Sequence, residues 1–153
     1  MKFISDGRPS TKEEADAVIS RVLGYYQKYN HKLGVWAAIE KSTGNFAGWF
    51  HLRPDKNDLD NIADLELGYR LKAVFWRKGL ATEMSKELLR KAFLELNADA
   101  VFATAMRANA ASINVMAKLG MKFQTSFTQK MFPGSDQSAV KYQISRGDWE
   151  ALQ

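Results

Sequence analysis

Apolar residues recur with helical spacing in three stretches and alternate in another, and that contrast orders the chain. In "STKEEADAVISRVLGYYQKY" (10–29), Ala15, Val18, Ile19, Val22, Leu23 and Tyr26 share one helical face, behind Ser10 and Glu13 in capping-box spacing. "GVWAAIE" and "NFAGWFHLR", joined by "KSTG", predict a β-hairpin in which Gly44 supplies a positive φ. "DLELGYRL" (64–71) alternates: Leu65, Leu67, Tyr69 and Leu71 point one way, and Asp64, Glu66, Gly68 and Arg70 the other. Such a strand turns its polar face to solvent or to a cleft. "LATEMSKELLRKAFLELN" sets Leu80, Met84, Leu88, Ala92 and Leu96 on one stripe, widened by Ala81, Leu89 and Phe93, and reads as an amphipathic helix. "AVFATAM" is apolar on both faces, as a central strand is. "NAASINVMAKLGM" predicts a short helix with Asn109 as N-cap and Gly120 at C′. "KFQTSFTQKMF" and "SAVKYQIS" form a second hairpin around "PGSDQ", and "RGDWEAL" a closing helical turn. This order of elements predicts one mixed sheet with helices on both faces.

Composition narrows the function more than the fold. The 153 residues, 46% hydrophobic and 25% charged, suit one globular domain spanning 1–153. No apolar run has membrane-span length, and "MKFISDGRPSTKEEAD" lacks a secretory segment, so a cytoplasmic protein is expected. With no cysteine, and with His31 and His51 far apart, neither thiolate chemistry nor a metal site is expected. The net charge of +5 raises the option of a nucleic-acid-binding domain, but the cations are scattered among acids. A mildly basic surface serves equally to attract a small polyanion.

A polyanion site is suggested where the 64–71 strand runs through "WRKGLATE" into a helix. The first turn of a helix leaves N–H groups unpaired at the positive end of the macrodipole. Gly79 permits close backbone approach, and Arg77 and Lys78 add charge. Neither the P-loop pattern nor the dinucleotide fingerprint is present. On these residues alone, a phosphate cradle and a plain connection remain open.

"ELGYRLKAVFWRKGLATE", followed by "NAASINVMAKLGMKF", resembles the GNAT superfamily of acetyl-CoA-dependent N-acetyltransferases, in particular the branch similar to bacterial ribosomal-protein N-terminal acetyltransferases. The match to Trp-Gly-x-Gly-x-Ala-Thr-Glu lies in Trp76, Gly79, Ala81, Thr82 and Glu83. The later motif lies in Asn109, Ser112, Lys118, Leu119 and Gly120. Arg77 departs from it, standing where a first glycine is common. The N-terminus is also shorter than usual in that family.

The resemblance implies an α+β fold with a mostly antiparallel sheet. It also implies acetyl-CoA as cosubstrate and an amine acceptor, in a monomer or homodimer without membrane attachment. Backbone N–H groups near Leu71 and Ala73 would hold the pantetheine arm. Arg77, Lys78, Gly79, Leu80, Ala81 and Thr82 would hold the pyrophosphate, and Asn109 would touch the cofactor. Glu66 becomes the candidate general base, with Asp64 as the weaker alternative; otherwise Glu66 is a surface carboxylate paired with Arg70. Ser112 becomes the candidate donor to the departing thiolate. The tyrosine that many members use as general acid is Met116 here, and Tyr142 reads better as core. Trp49, His51 and Arg53 border an acceptor cleft or pack on the sheet. The acids of "DKNDLDN" lean toward a cationic acceptor, and "FPGSDQ" is a second candidate lining loop. A non-catalytic coenzyme A-binding module is the competing reading.

Overall fold

The computed structural model describes residues 10–129 and 137–153, so "FPGSDQ" lies largely outside the described residues. Helix α1 spans Lys12–Lys28, and the first hairpin is β1 (Gly34–Ile39) and β2 (Phe46–Pro54), with Gly44 at φ 72° in its turn. Then come β3 (Asp64–Leu71), a 3-10 turn at Ala73–Phe75, and α2 (Leu80–Arg90), which runs into a π-helical turn at Lys91–Glu95. Strand β4 (Ala100–Met106), α3 (Ala110–Lys118), β5 (Lys122–Thr128), β6 (Ser138–Ser145) and α4 (Arg146–Glu150) complete the chain. The six strands form one mixed sheet in the order β1-β2-β3-β4-β6-β5. Only β3 and β4 run parallel; the other neighbours are antiparallel.

The alternation in β3 does what its sequence demands. Leu65 and Leu67 are buried, and with Phe50, Leu52, Val101 and Ile144 they meet Leu88, Leu89, Ala92 and Phe93 of the α2 segment and Met116 and Leu119 of α3. The expected stripe along 80–96 thus becomes the main sheet-to-helix contact. Its last turn widens at Lys91–Glu95, where Arg146 donates to the Phe93 carbonyl (2.7 Å) and the Ala98 carbonyl (2.8 Å).

Helix α1 differs from expectation in two ways. Its cap is Thr11 with Glu14, one residue beyond Ser10 and Glu13: the Glu14 N–H donates to Thr11 Oγ1 (3.2 Å), and the Thr11 N–H donates to Glu14 Oε2 (3.0 Å). Both registers offer the same chemistry, and this one also lets Lys12 reach Asp16 at 2.8 Å. Thr11→Ala is expected to lower stability by about 1 kcal/mol, read from urea denaturation. The second difference is burial. No residue of α1 is buried, and Val18, Ile19 and Leu23 remain 48%, 55% and 54% exposed, because only its C-terminal end reaches the sheet. There Tyr26 packs over Gly34, and the Tyr29 hydroxyl donates to the Leu59 carbonyl at 2.5 Å. No helix among the described residues is long and apolar enough to cross a membrane.

Candidate active site

Strands β3 and β4 pair only at Asp64–Ala100, Leu65–Val101 and Glu66–Phe102, and then part. Backbone alternation fixes what faces the opening. The Lys72 N–H donates to the Ala47 carbonyl at 2.8 Å, so the even-numbered residues of β3 turn their backbone groups to β2. Tyr69 and Leu71 therefore aim their N–H groups into the gap beside β4. The Leu71 carbonyl is held by the Trp76 indole N–H at 2.9 Å, which ties the following turn to the end of the strand.

That turn is a left-handed excursion. Gly79, the N-cap of α2, has φ 81°, and Arg77 has φ 61° with a full side chain attached. Arg77 thus takes up the conformation for which glycine is suited, at a cost of about 1 kcal/mol. The N–H groups of Thr82 and Glu83 both donate to the Gly79 carbonyl at 3.0 Å. Those of Arg77, Lys78, Gly79, Leu80 and Ala81 have no hydrogen-bond acceptor among the described residues. Nothing lies within 4 Å of where a Gly79 Cβ would stand. The Leu80 side chain instead lines an apolar hollow with Phe50, Leu71 and Met84, so only its N–H is available to a ligand at the turn. Lys78 lies over the Phe75 ring at 5.1 Å.

Across the gap, Asn109 caps α3, its Oδ1 accepting from the Ser112 N–H at 3.2 Å. Ser112 neighbours the Tyr69 phenol. Burial pushes the Tyr69 phenol above its ordinary pKa, and Ser112 offsets part of that rise, so the phenol keeps its proton at neutral pH. Met116 is buried in the core. Tyr142 also packs on the core, edge-on to Phe123 at 5.7 Å. Tyr69 is the site residue that alternation missed: its ring packs on Phe50 at 5.4 Å, and Ser112 of α3 neighbours its phenol. No sequence signal links it to a serine so far along the chain.

The opposite face of the sheet carries Trp49, His51, Arg53, Glu66, Gly68 and Arg70 through the cross-strand pairs Trp49–Arg70, His51–Gly68 and Arg53–Glu66. Glu66 is not paired with Arg70. Positions i and i+4 of a strand stand about 13 Å apart, whereas Arg53 lies directly opposite, and its guanidinium contacts Glu66 Oε2. Asp64 sits at the exposed start of β3, on the same face as Glu66. The side chains of His51, Glu66 and Arg53 are only 15%, 17% and 18% exposed. Burial pushes the Glu66 carboxyl above its usual range, with Arg53 pulling the other way. Burial, and then Arg53, lower His51 to about 3, so its imidazole is neutral at physiological pH. Trp49 stacks on it at 5.9 Å.

His51 fits only because residue 68 has no side chain; a Cβ there would stand 2.4 Å from His51 Cε1. Gly68→Ala is expected to cost about 1–3 kcal/mol in urea denaturation, and a further His51→Ala to recover much of it. His31 is exposed, at φ 61°, and stacks on Tyr26 at 6.0 Å, away from the site.

Comparison with known proteins bears on the fold and the family. Residues 1–122 match the sequence profile of the acetyltransferase (GNAT) domain. A protein of Aspergillus fumigatus named FsC-acetyl coenzyme A-N(2)-transacetylase is 32% identical over 160 aligned positions, covering 100% of this chain and 67% of the relative. Among solved structures, a GNAT-family acetyltransferase from Bacillus anthracis shares the fold with a TM-score of 0.76 at 21% identity, covering 96% of this chain and 81% of that one. The ribosomal-protein-S5-alanine acetyltransferase of Vibrio fischeri superposes with a TM-score of 0.75 at 15% identity, covering 97% and 80%. With its profile matched over most of its length and its fold shared with these structures, the chain belongs to the GNAT acetyltransferase family, whose members are acyltransferase enzymes.

Proposed function

We propose that this protein transfers the acetyl group of acetyl-CoA directly to a primary amine. The observation that carries the reading is the run of unpaired N–H groups at Arg77–Ala81, opening beside the gap between β3 and β4. Those amides, with the charge of Arg77 and the dipole of α2, suit a pyrophosphate. The N–H groups of Tyr69 and Leu71 suit the amide groups of a pantetheine arm, which would pass Ala73 on its way to the turn. The name of the Aspergillus relative, a transacetylase acting at N(2), supports nitrogen as the acceptor atom.

Acetyl-CoA supplies an activated thioester carbonyl. The residues of this chain then divide the proton work between the two sides of the sheet. Glu66, on the polar face, takes the proton of the incoming amine through a water, and its raised pKa keeps it basic enough for the task. Ser112, across the gap, stabilises the departing sulfur by a hydrogen bond from its hydroxyl, which keeps its own proton. Tyr69 beside it supplies a second protonated hydroxyl in the place of the tyrosine replaced by Met116. Asn109 holds the first turn of α3, and with it Ser112, in position.

The test of the cofactor site is thermal stabilisation by acetyl-CoA. Ligand well above its Kd raises the unfolding free energy by about 2.7 kcal/mol at a hundredfold excess, a shift of several degrees. No shift at millimolar acetyl-CoA would overturn the reading. The replacement of the usual tyrosine by Met116 favours a second reading, a coenzyme A-binding module without turnover; it predicts the same thermal shift but no amine-dependent thiol release.

A further inference from the structure

The polar face beside Glu66 holds two buried side-chain atoms that the sheet leaves unsatisfied: Arg70 Nη2 and His51 Nε2 have no hydrogen-bond partner among the described residues. His51 Nε2 stands 4.0 Å from Glu66 Oε2, beyond hydrogen-bond length. Native structures rarely leave buried polar atoms unpaired, and a guanidinium nitrogen is a costly one to leave so. Arg70 and His51 share a face, because Arg70 is two residues from Gly68 and the His51 ring lies over Gly68. Arg53 is already committed to Glu66, so of the two guanidinium groups on this face Arg70 is the one left for a ligand.

The surroundings favour an anion. Arg53, Lys56 and Lys141 act on Glu66 as nearby positive charges, against the carboxylates of Asp55 and, two residues along the strand, Asp64, and Lys141 lies 3.9 Å from the centre of the Phe102 ring, opposite Glu66. Two of the three acids of "DKNDLDN" have partners within the protein: Asp60 pairs with Lys28 at 2.8 Å, and Asp55 accepts from the Asn57 N–H at 2.8 Å. Arg70 follows Tyr69, whose N–H faces the gap, so a group bound by Arg70 lies beside the thioester end of that gap.

Resting on the acetyl-transfer reading above, we propose that Arg70 and His51 form an acceptor subsite for a carboxylate, so that the acceptor is an amine bearing a carboxylate, of the amino-acid class. Arg70 grips the carboxylate with its planar fork. His51 contributes a neutral hydrogen-bonding edge, and the amine is left pointing toward Glu66 and the gap.

The subsite is tested by calorimetric titration of the coenzyme A-loaded protein with matched pairs, each an amino acid and its carboxamide, and with a linear diamine. Tighter binding of the carboxylates by about tenfold or more is expected, as one charge-assisted hydrogen bond supplies. In Arg70→Gln the ratio falls to near one, and in Arg70→Lys part of it returns. Equal binding of acid and carboxamide, or preference for the diamine, would overturn the subsite. So would an Arg70→Gln variant whose only defect is weaker coenzyme A binding, which would mark Arg70 as a cofactor contact. Because the readout is binding, a protein that binds the carboxylates but never acetylates them would refute the transfer reading and leave the subsite standing.

Discussion

Glu66→Gln is expected to lower kcat by about 10²- to 10⁴-fold, the range a positioned general base contributes. Glutamine keeps the volume and can still accept from Arg53, so stability and the acetyl-CoA-induced thermal shift are expected to change little. The pH profile distinguishes a base from a structural carboxylate. Glu66 works only when ionised, and burial raises its pKa in the folded protein. Wild-type activity therefore falls as pH drops through that raised value, and the acidic limb disappears in Glu66→Gln. His51 cannot produce a limb near neutrality, because it stays neutral down to about pH 3. A limb near the ordinary histidine range that survives Glu66→Gln, with undiminished kcat, would rule Glu66 out as the base.

The second large effect is expected at the turn. Gly79→Val places a β-branched residue at φ 81°, a conformation such residues almost never hold. The apo protein has room for the side chain, since nothing stands within 4 Å of the Cβ position, so the loss should fall on ligand binding more than on packing. Re-aiming two of the free N–H groups forfeits about 3 kcal/mol of charge-assisted hydrogen bonding, or roughly 10²-fold in acetyl-CoA affinity. The check is the acetyl-CoA KM together with the urea midpoint without ligand. A KM within about twofold of wild type would show that the pyrophosphate does not lie at Gly79.

The turn was legible because its signals are local. A glycine before an amphipathic stripe specifies a helix N-terminus, and the alternation of 64–71 specifies a strand with one polar face, whatever the rest of the chain does. What failed needed long-range information. The periodicity of 15–26 marks an apolar helical face, but it does not reveal that Val18, Ile19 and Leu23 lie beyond the sheet. The alternative partner for Glu66, Arg70, rests on proximity in sequence, while register, invisible in a single chain, sets Arg53 opposite it. Alternation sent Tyr69 to the core, correctly for its ring, but its hydroxyl sits at the strand's splayed end, where α3 brings Ser112 alongside. The Ser10 and Thr11 caps are degenerate in sequence, and a one-residue shift decides between them.

The most direct measurement of acetyl transfer is thiol release from acetyl-CoA across a panel of primary amines, with the acetylated amine quantified in parallel by mass spectrometry. A transferring enzyme releases thiol and forms N-acetylated product in equal amounts with at least one amine, and loses both in Glu66→Gln while still being stabilised by acetyl-CoA. Stabilisation by acetyl-CoA with no amine raising thiol release above hydrolysis would contradict transfer and leave a coenzyme A-binding module.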